Sequence, residues 1–336
     1  MASSSKWKTG LLKTGLPLEY VTARSLSERG HSIFGEYPYT RPDESGKPIE
    51  FFVDIRTYKS LSFGGHLIVL SMLVECKYRQ PGTTWVFAPL PADTYPIGLV
   101  QSTEDISPIR LNDKALWDFE KQTGYCVSGV ELTSDGSGNT SGTKHGIFQL
   151  KYAMLHLIAN SMGHNYEECV YDGNHIDISC PIIVTTADLR LIKPGLSLED
   201  FRQANELSEV TDAKDALILN ERPGPQLQTF AVGIGNQFTG SHPSLFERLK
   251  ALDRVLVGPE WEKRYAPDLD TIRRVFEHSV ERVLVINYES LDLVLDKLDA
   301  AIGEVLTTVK SYGSLVTSSG VVSLTDLEGS VVAADL

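Results

Sequence analysis

The spacing of apolar positions predicts a helix over Leu18–Arg29, with Leu18, Val21 and Leu26 on one side, Pro17 in the first turn and Gly30 as the stop. Three runs rich in Ile, Val, Phe and Tyr follow: His31–Tyr39, Ile49–Tyr58 and Leu67–Tyr78. The turn signals PDESGKP (42–48) and SFGG (62–65) separate them, which predicts an antiparallel meander. Trp85–Ala88 predicts a short strand and Asn112–Gln122 a helix. The stretch DGSGNTSGTKHG (135–146) predicts a flexible loop, opening into Ile147–Met162, a helix apolar almost all round and therefore buried. PIIVTT (181–186) reads as a short, fully apolar core strand and RVLVIN (282–287) as another core strand, running directly into an amphipathic helix, Leu291–Val309. Leu198–Leu207 and Pro243–Leu256 read as helices, and Leu227–Ile234 alternates like a strand. From Ser311 onward there is no Lys or Arg, and the expectation is a disordered tail or an added edge strand. There is no internal repeat.

Two of the predicted strands carry charge where a buried strand should not. Asp54 closes the run Phe51-Phe52-Val53, and Glu75 and Lys77 close Leu67–Val74 with Cys76 between them. Residues i and i+2 of a strand share a face, so Glu75 and Lys77 project together and Cys76 points into the core. If strands two and three splay, Asp54 reaches Glu75. Two carboxylates then converge beside one ammonium, and Glu19 lies in the preceding helix.

Bulk properties bound the setting. The 336 residues suffice for one large or two smaller domains, and a core of that size needs no disulfide or metal staple. The four cysteines form no CxxC pair, the N-terminus lacks a signal-like apolar segment, and no run is long enough for a membrane span. A cytoplasmic protein is the expectation. The net charge of −13 is uneven: residues 1–90 carry +3 and the remainder −16. A locally basic part can still bind a polyanion, because fields act over a Debye length of ~8 Å.

Paired carboxylates with a nearby lysine suit phosphodiester hydrolysis. Hard oxygen ligands hold Mg²⁺, and a lysine can orient or deprotonate a water and offset phosphate charge. Val53-Asp54 and Glu75-Cys76-Lys77, with Glu19 on the first helix, resemble the PD-(D/E)XK, or restriction-endonuclease-like, nuclease superfamily over roughly residues 15–190. Val53 replaces the proline usual before the Asp. The resemblance implies an α/β fold in which a mixed central sheet is flanked by helices, carrying an α-rich C-terminal extension. It implies Asp54, Glu75 and Glu19 as ligands for Mg²⁺ or Mn²⁺, and Asp54, Glu75, Lys77, Glu19 and Gln149 as the catalytic set. Gln149 enters because the helix after the E-x-K strand often lends a Gln or a basic residue. Lys151 is the second candidate there, and the Q-x-x-x-Y motif of recombination nucleases is absent, since Ala153 stands where its Tyr would be.

The expected organisation is a nuclease-like core over 1–190, an extension over 191–312 packed on the same sheet, and a tail over 313–336. Arg56, Lys59, Arg79 and Lys144 are the expected nucleic-acid contacts, and DNA is preferred to RNA as the polymer. A role as a bacterial defence effector follows from how widely the fold is used that way. The acidic C-terminal region is expected to make a partner or subunit contact. The alternatives are a catalytically inactive nuclease-like module that binds nucleic acid or a protein, and an acidic oligomerising scaffold. The buried helix also carries a polar stripe, His145, Gln149, Tyr152, His156 and Asn160, whose bland reading is satisfied core groups. His164, Cys169, His175 and Cys180 have spacings that fit no common zinc pattern. Arg273 and Arg274 read as solvated surface charge.

Overall fold

The computed structural model describes residues 6–43, 45–63, 66–91, 98–102, 114–164, 175–242, 275–308, 314–317, 320–323 and 332–333. The expected helix Pro243–Leu256, together with Cys169, Arg273 and Arg274, lies outside them.

Two helices, α1 (Lys6–Lys13) and α2 (Leu16–Glu28), precede a meander of β1 (Ser32–Pro42), β2 (Pro48–Phe63) and β3 (His66–Lys77). Then come β4 (Thr84–Pro89), β5 (Gln101–Ser102), α3 (Lys114–Thr123), β6 (Tyr125–Leu132), β7 (Gly138–Asn139) and α4 (Ser141–His164). After β8 (His175–Thr185) and β9 (Asp188–Ile192), α5 (Leu198–Gln203) and α6 (Leu207–Val210) lead to β10 (Thr211–Lys214) and β11 (Ala216–Asn220). The chain continues as α7 (Pro225–Ser241), β12 (Arg282–Asn287) and α8 (Leu291–Thr308). A small hairpin, β13 (Ser314–Thr317) with β14 (Gly320–Ser323), and β15 (Val332–Ala333) follow; β15 adds to β2 at Leu61 and Ser62.

One large mixed sheet runs in the order β1-β2-β3-β8-β12-β11-β6-β4-β9-β10. The meander is antiparallel, while β3–β8 and β8–β12 are parallel. Alternation along the strands sorts side chains onto two faces. Leu73, Ile183, Val283 and Val285 pack with α4 and α7, whereas Val74, Ile182, Leu284 and Ile286 pack with α2, α3 and α8. Helices on both faces explain why β12 reads as a continuous apolar run. PIIVTT and RVLVIN lie side by side, in register from Leu284↔Ile182 to Asn287↔Thr185. Because β12 and β11 sit between β8 and β6, residue 190 marks no break in the sheet.

Two expectations from the pattern are corrected. Leu227–Ile234 is not a strand but the middle of α7. Its buried residues Leu227, Ala231, Ile234 and Phe238 are spaced by four, three and four, and Pro225 opens the helix, so the helical period outweighs a chance alternation. The stretch 135–146 is not a loose loop. Ser137 donates its amide to Asp135 Oδ1 at 2.9 Å and Thr133 donates to Ser137 O at 3.0 Å, closing a turn from which β7 pairs back on β6. Asn139 Oδ1 then accepts the Ser141 amide at 2.9 Å as α4 begins.

His31, beside Thr57 in the α2-side core, is buried near Lys59 and Arg29, and desolvation with those two cations lowers its pKa to about 4. A depressed histidine contributes stability that is present above its unfolded value near 6.5 and is lost as pH falls through 4. Protonating His31 should cost about 3 kcal/mol across that window. Urea titrations of wild type and His31→Gln from pH 4 to 7 should show the acid-side slope shallower in the variant.

Candidate active site

The sheet parts between β2 and β3 at Asp54. The last paired residues there are Ile55↔Val74, while β3 continues alongside β8 to Lys77↔Thr185. Beyond that point β2 pairs only with β1, and this two-stranded arm folds over α4. His156 Nε2 bonds Thr40 O at 2.8 Å, Asn160 donates to Tyr37 Oη at 3.1 Å, and Arg41 lies over the rings of Phe51 and Tyr152 at 4.2 and 4.7 Å. Most of the polar stripe of α4 thus fastens the arm and leaves Gln149 at the split.

A bulge sets the angle of Asp54. Between Gly35↔Arg56 and Tyr37↔Val53 the register shifts, so Asp54 and Ile55 together face the single residue Glu36. Val53 consequently packs on the α4 side and Ile55 on the α2 side, although two residues apart in an even strand they would share a face. Asp54 Oδ2 accepts the Cys76 amide at 2.7 Å, spanning the gap where ladder bonds end.

Glu75 shares the α4 face with Leu73 and is 1% exposed. The Lys77 ammonium bonds its Oε1, and Oε2 has no hydrogen-bond partner. Burial first, then the neighbouring Asp54 charge, pushes the Glu75 pKa up to about 7, opposed by Lys77 and the Asp54 amide. Lys77 also donates to Gln149 Oε1 at 3.3 Å, and Gln149 Nε2 reaches Phe52 O at 3.5 Å. The glutamine therefore connects the lysine to the departing arm. On the other side of the gap, Glu19 in the first turn of α2 has a raised pKa from desolvation, Asp54 and Glu36, against the pull of Lys77. Gly15, at φ 83°, caps α2, and a Cβ there would lie 3.1 Å from Glu19 Oε1.

The structure thus brings Asp54, Glu75, Lys77, Gln149 and Glu19 into one neighbourhood. It adds Glu36, whose charge raises the pKa of both Glu19 and Asp54, and Gly146. A bulge leaves no mark in an alternating pattern, so Glu36 has no sequence signal. Gly146 could have been flagged as a glycine one turn into a helix. A Cβ on it would sit 2.7 Å from Lys77 Cε and 3.3 Å from Glu75 Cγ. Gly146→Ala should lower the urea midpoint, because the about 0.5–1 kcal/mol that alanine adds to a helix does not offset the roughly 1–3 kcal/mol cost of overpacking against Lys77 and Glu75.

The expected nucleic-acid contacts divide. Lys144 is exposed on the first turn of α4, whereas Thr143 is buried and bonds Gly129 O at 3.2 Å. Arg56 lies against the rings of Phe34 and Tyr37 at 5.6 and 5.3 Å. The Arg79 guanidinium pairs with Glu131, donates to Gly142 O at 2.9 Å and lies over the Trp85 ring, tethering β6 and the start of α4 to the end of β3. Lys59 pairs with Asp299 of α8 at 3.9 Å some five residues along β2 from the split, about 16 Å. Lys151 is buried, donating to Glu221 O at 2.7 Å away from the site.

Among the described residues, no three His, Cys, Asp or Glu side chains form a ready-made ligand group. Magnesium needs fewer, since it binds through one or two carboxylates and keeps several waters. A buried carboxylate oxygen with no partner, next to a second carboxylate, fits a hard cation. No helix is long and apolar enough to cross a membrane. Comparison with family models, curated proteins and solved structures returns no match.

Proposed function

We propose that this chain is a metal-dependent nuclease with a restriction-endonuclease-like core, hydrolysing phosphodiester bonds in DNA. The observation that carries the reading is Glu75. It is buried beside Asp54 with one oxygen on Lys77 and the other without a partner, an arrangement that costs stability and that packing alone does not call for. Asp54 and Glu75 would hold Mg²⁺ or Mn²⁺, with Glu19 across the gap as a further carboxylate. Such an ion, when bound, polarises a phosphoryl oxygen and lowers the pKa of its water.

The chain's own groups have distinct roles in this reading. Lys77 presents an ammonium at the position where a water and a phosphate oxygen would meet. It orients the water and offsets charge that grows on the phosphate as the bond to the leaving oxygen breaks. Gln149 is a positioning residue, fixing the ammonium against the arm. The Cys76 amide fixes the Asp54 carboxylate. Incubation of the purified protein with supercoiled plasmid in Mg²⁺ or Mn²⁺, against EDTA and against Asp54→Asn, tests the reading. Cation-dependent nicking absent from the variant supports it. No cleavage of DNA in either cation overturns it, and retained DNA binding in that case favours the non-catalytic module.

A further inference from the structure

The engagement of Arg79 and Lys59 elsewhere in the fold leaves a question of charge, because an anionic strand must approach Glu19, Glu36, Asp54 and Glu75. A source of positive charge stands in the helix that leads into α2. Helix α1, KWKTGLLK, carries three lysines, no acid and no buried residue. Trp7 is 65% exposed and Leu11 43% exposed, one turn apart on one stripe. Lys6 and Lys13, seven residues apart, flank that stripe on one side and Lys8 on the other.

The corner that follows joins this helix to the first turn of α2, which carries Glu19. Thr14 and Gly15 return hydrogen bonds to Leu11 O and Leu12 O, both at 3.2 Å, and Glu19 donates its amide to Gly15 O at 3.1 Å. Lys13 is therefore two residues from Gly15, where an added Cβ would lie 3.1 Å from Glu19 Oε1.

We propose that α1 is a nucleic-acid-binding element that holds the substrate strand beside the carboxylates, with phosphates on Lys6, Lys8 and Lys13 and an unstacked base on Trp7. The inference rests on the nucleic-acid substrate proposed above. Charge complementarity selects this occupant. Three cations on the helix that leads into the Glu19 turn would compensate the repulsion a phosphate backbone otherwise meets at the carboxylates, and an exposed tryptophan between cations is a stacking platform that accepts any base. A lipid surface suits the same residue types less well, because two apolar side chains on an eight-residue helix bury little area.

The test measures binding in the full-length Glu75→Gln protein, so that cleavage does not intervene. Fluorescence anisotropy of a labelled single-stranded oligonucleotide is followed from 50 to 300 mM salt. Lys6→Gln/Lys8→Gln/Lys13→Gln should weaken binding at least tenfold at low salt. It should also reduce the log–log salt slope by about 2, at ~0.7 for each phosphate that a lysine no longer neutralises. Trp7→Ala alone should cost about fivefold or more with the slope unchanged. Equal affinity and slope in the triple variant overturns the α1 assignment; if wild type still nicks plasmid, the nuclease reading survives that failure. Absence of any binding or cleavage by the unmutated chain overturns both. Flotation with vesicles containing phosphatidylglycerol is the remaining arm. Loss of vesicle binding in the triple variant, with oligonucleotide affinity intact, overturns the assignment in favour of a membrane surface.

Discussion

Glu75→Gln should reduce DNA cleavage by at least about 1,000-fold, the scale of a lost transition-state charge stabiliser, and yet unfold at higher urea than wild type above pH 7. The two effects have one cause. Glu75 is held where its charge is poorly solvated, and its pKa is pushed up to about 7 from an unfolded value near 4.5. A carboxyl whose folded pKa is raised contributes stability that is fully present below 4.5 and is lost as pH rises through 7. Above that window the cation-free wild type carries a penalty of up to about 3 kcal/mol, the part of the burial cost that Lys77 does not offset. Glutamine keeps the shape and the acceptor for Lys77 without the charge, so the variant escapes the penalty. Mg²⁺ should raise the wild-type midpoint by mass action and leave the Glu75→Gln midpoint almost unmoved. The raised pKa of Asp54 and Glu19 acts in the same direction. His31 acts with the opposite sign between about pH 4 and 6.5, so removing Glu75 should steepen the acid-side fall. A Glu75→Gln protein that is less stable than wild type at pH 8 without cations, or that still cleaves at the wild-type rate, would end the assignment.

Glu120→Ala should destabilise the fold by about 3–5 kcal/mol, the cost of stripping one partner from a buried ion pair. Arg282, at the start of β12, donates to Glu120 Oε2 at 3.0 Å, and both side chains are almost fully buried. The same carboxylate takes the Tyr125 hydroxyl at 2.6 Å and the Leu99 amide at 2.5 Å, so α3, β6 and β12 meet on one group. The Arg282 guanidinium also lies over the Tyr125 ring, 5.2 Å from its centroid. Alanine at 120 leaves a charged guanidinium, a hydroxyl and an amide without their acceptor in a dry core. Glu120→Leu with Arg282→Met removes both charges and should cost much less than Glu120→Ala. Urea unfolding of the single and double variants separates the two contributions, and a double variant as unstable as the single would show that packing, not charge, governs this junction. Cleavage per folded molecule should be unchanged, since the pair sits on the far side of β12 from the split.

The apolar periodicity of the chain was sufficient for most elements. Runs such as PIIVTT and RVLVIN must leave water because of their apolar area, and their short length and β-branched residues make them interior strands rather than helices. The meander follows from its turn residues, and the strand-end charges Asp54, Glu75 and Lys77 stand out against the runs they terminate. Gln149 could be read from a polar stripe on an apolar cylinder. What the sequence could not decide is pairing between distant segments. That β12 and β11 enter between β8 and β6 depends on which buried strands find each other across some 100 residues, and local patterns carry no such information. Within α7 the segment Leu227–Ile234 reads as a strand because a two-residue and a four-residue period coincide over a short window. The bulge that turns Asp54 and Ile55 to one side of Glu36, the approach of Gly146 to Lys77, and the consumption of Arg79 by Glu131 are decided by packing after the chain has collapsed. Charge and polarity along the chain determined which residues could form a site. The parting of two strands in three dimensions determined which of them face one another.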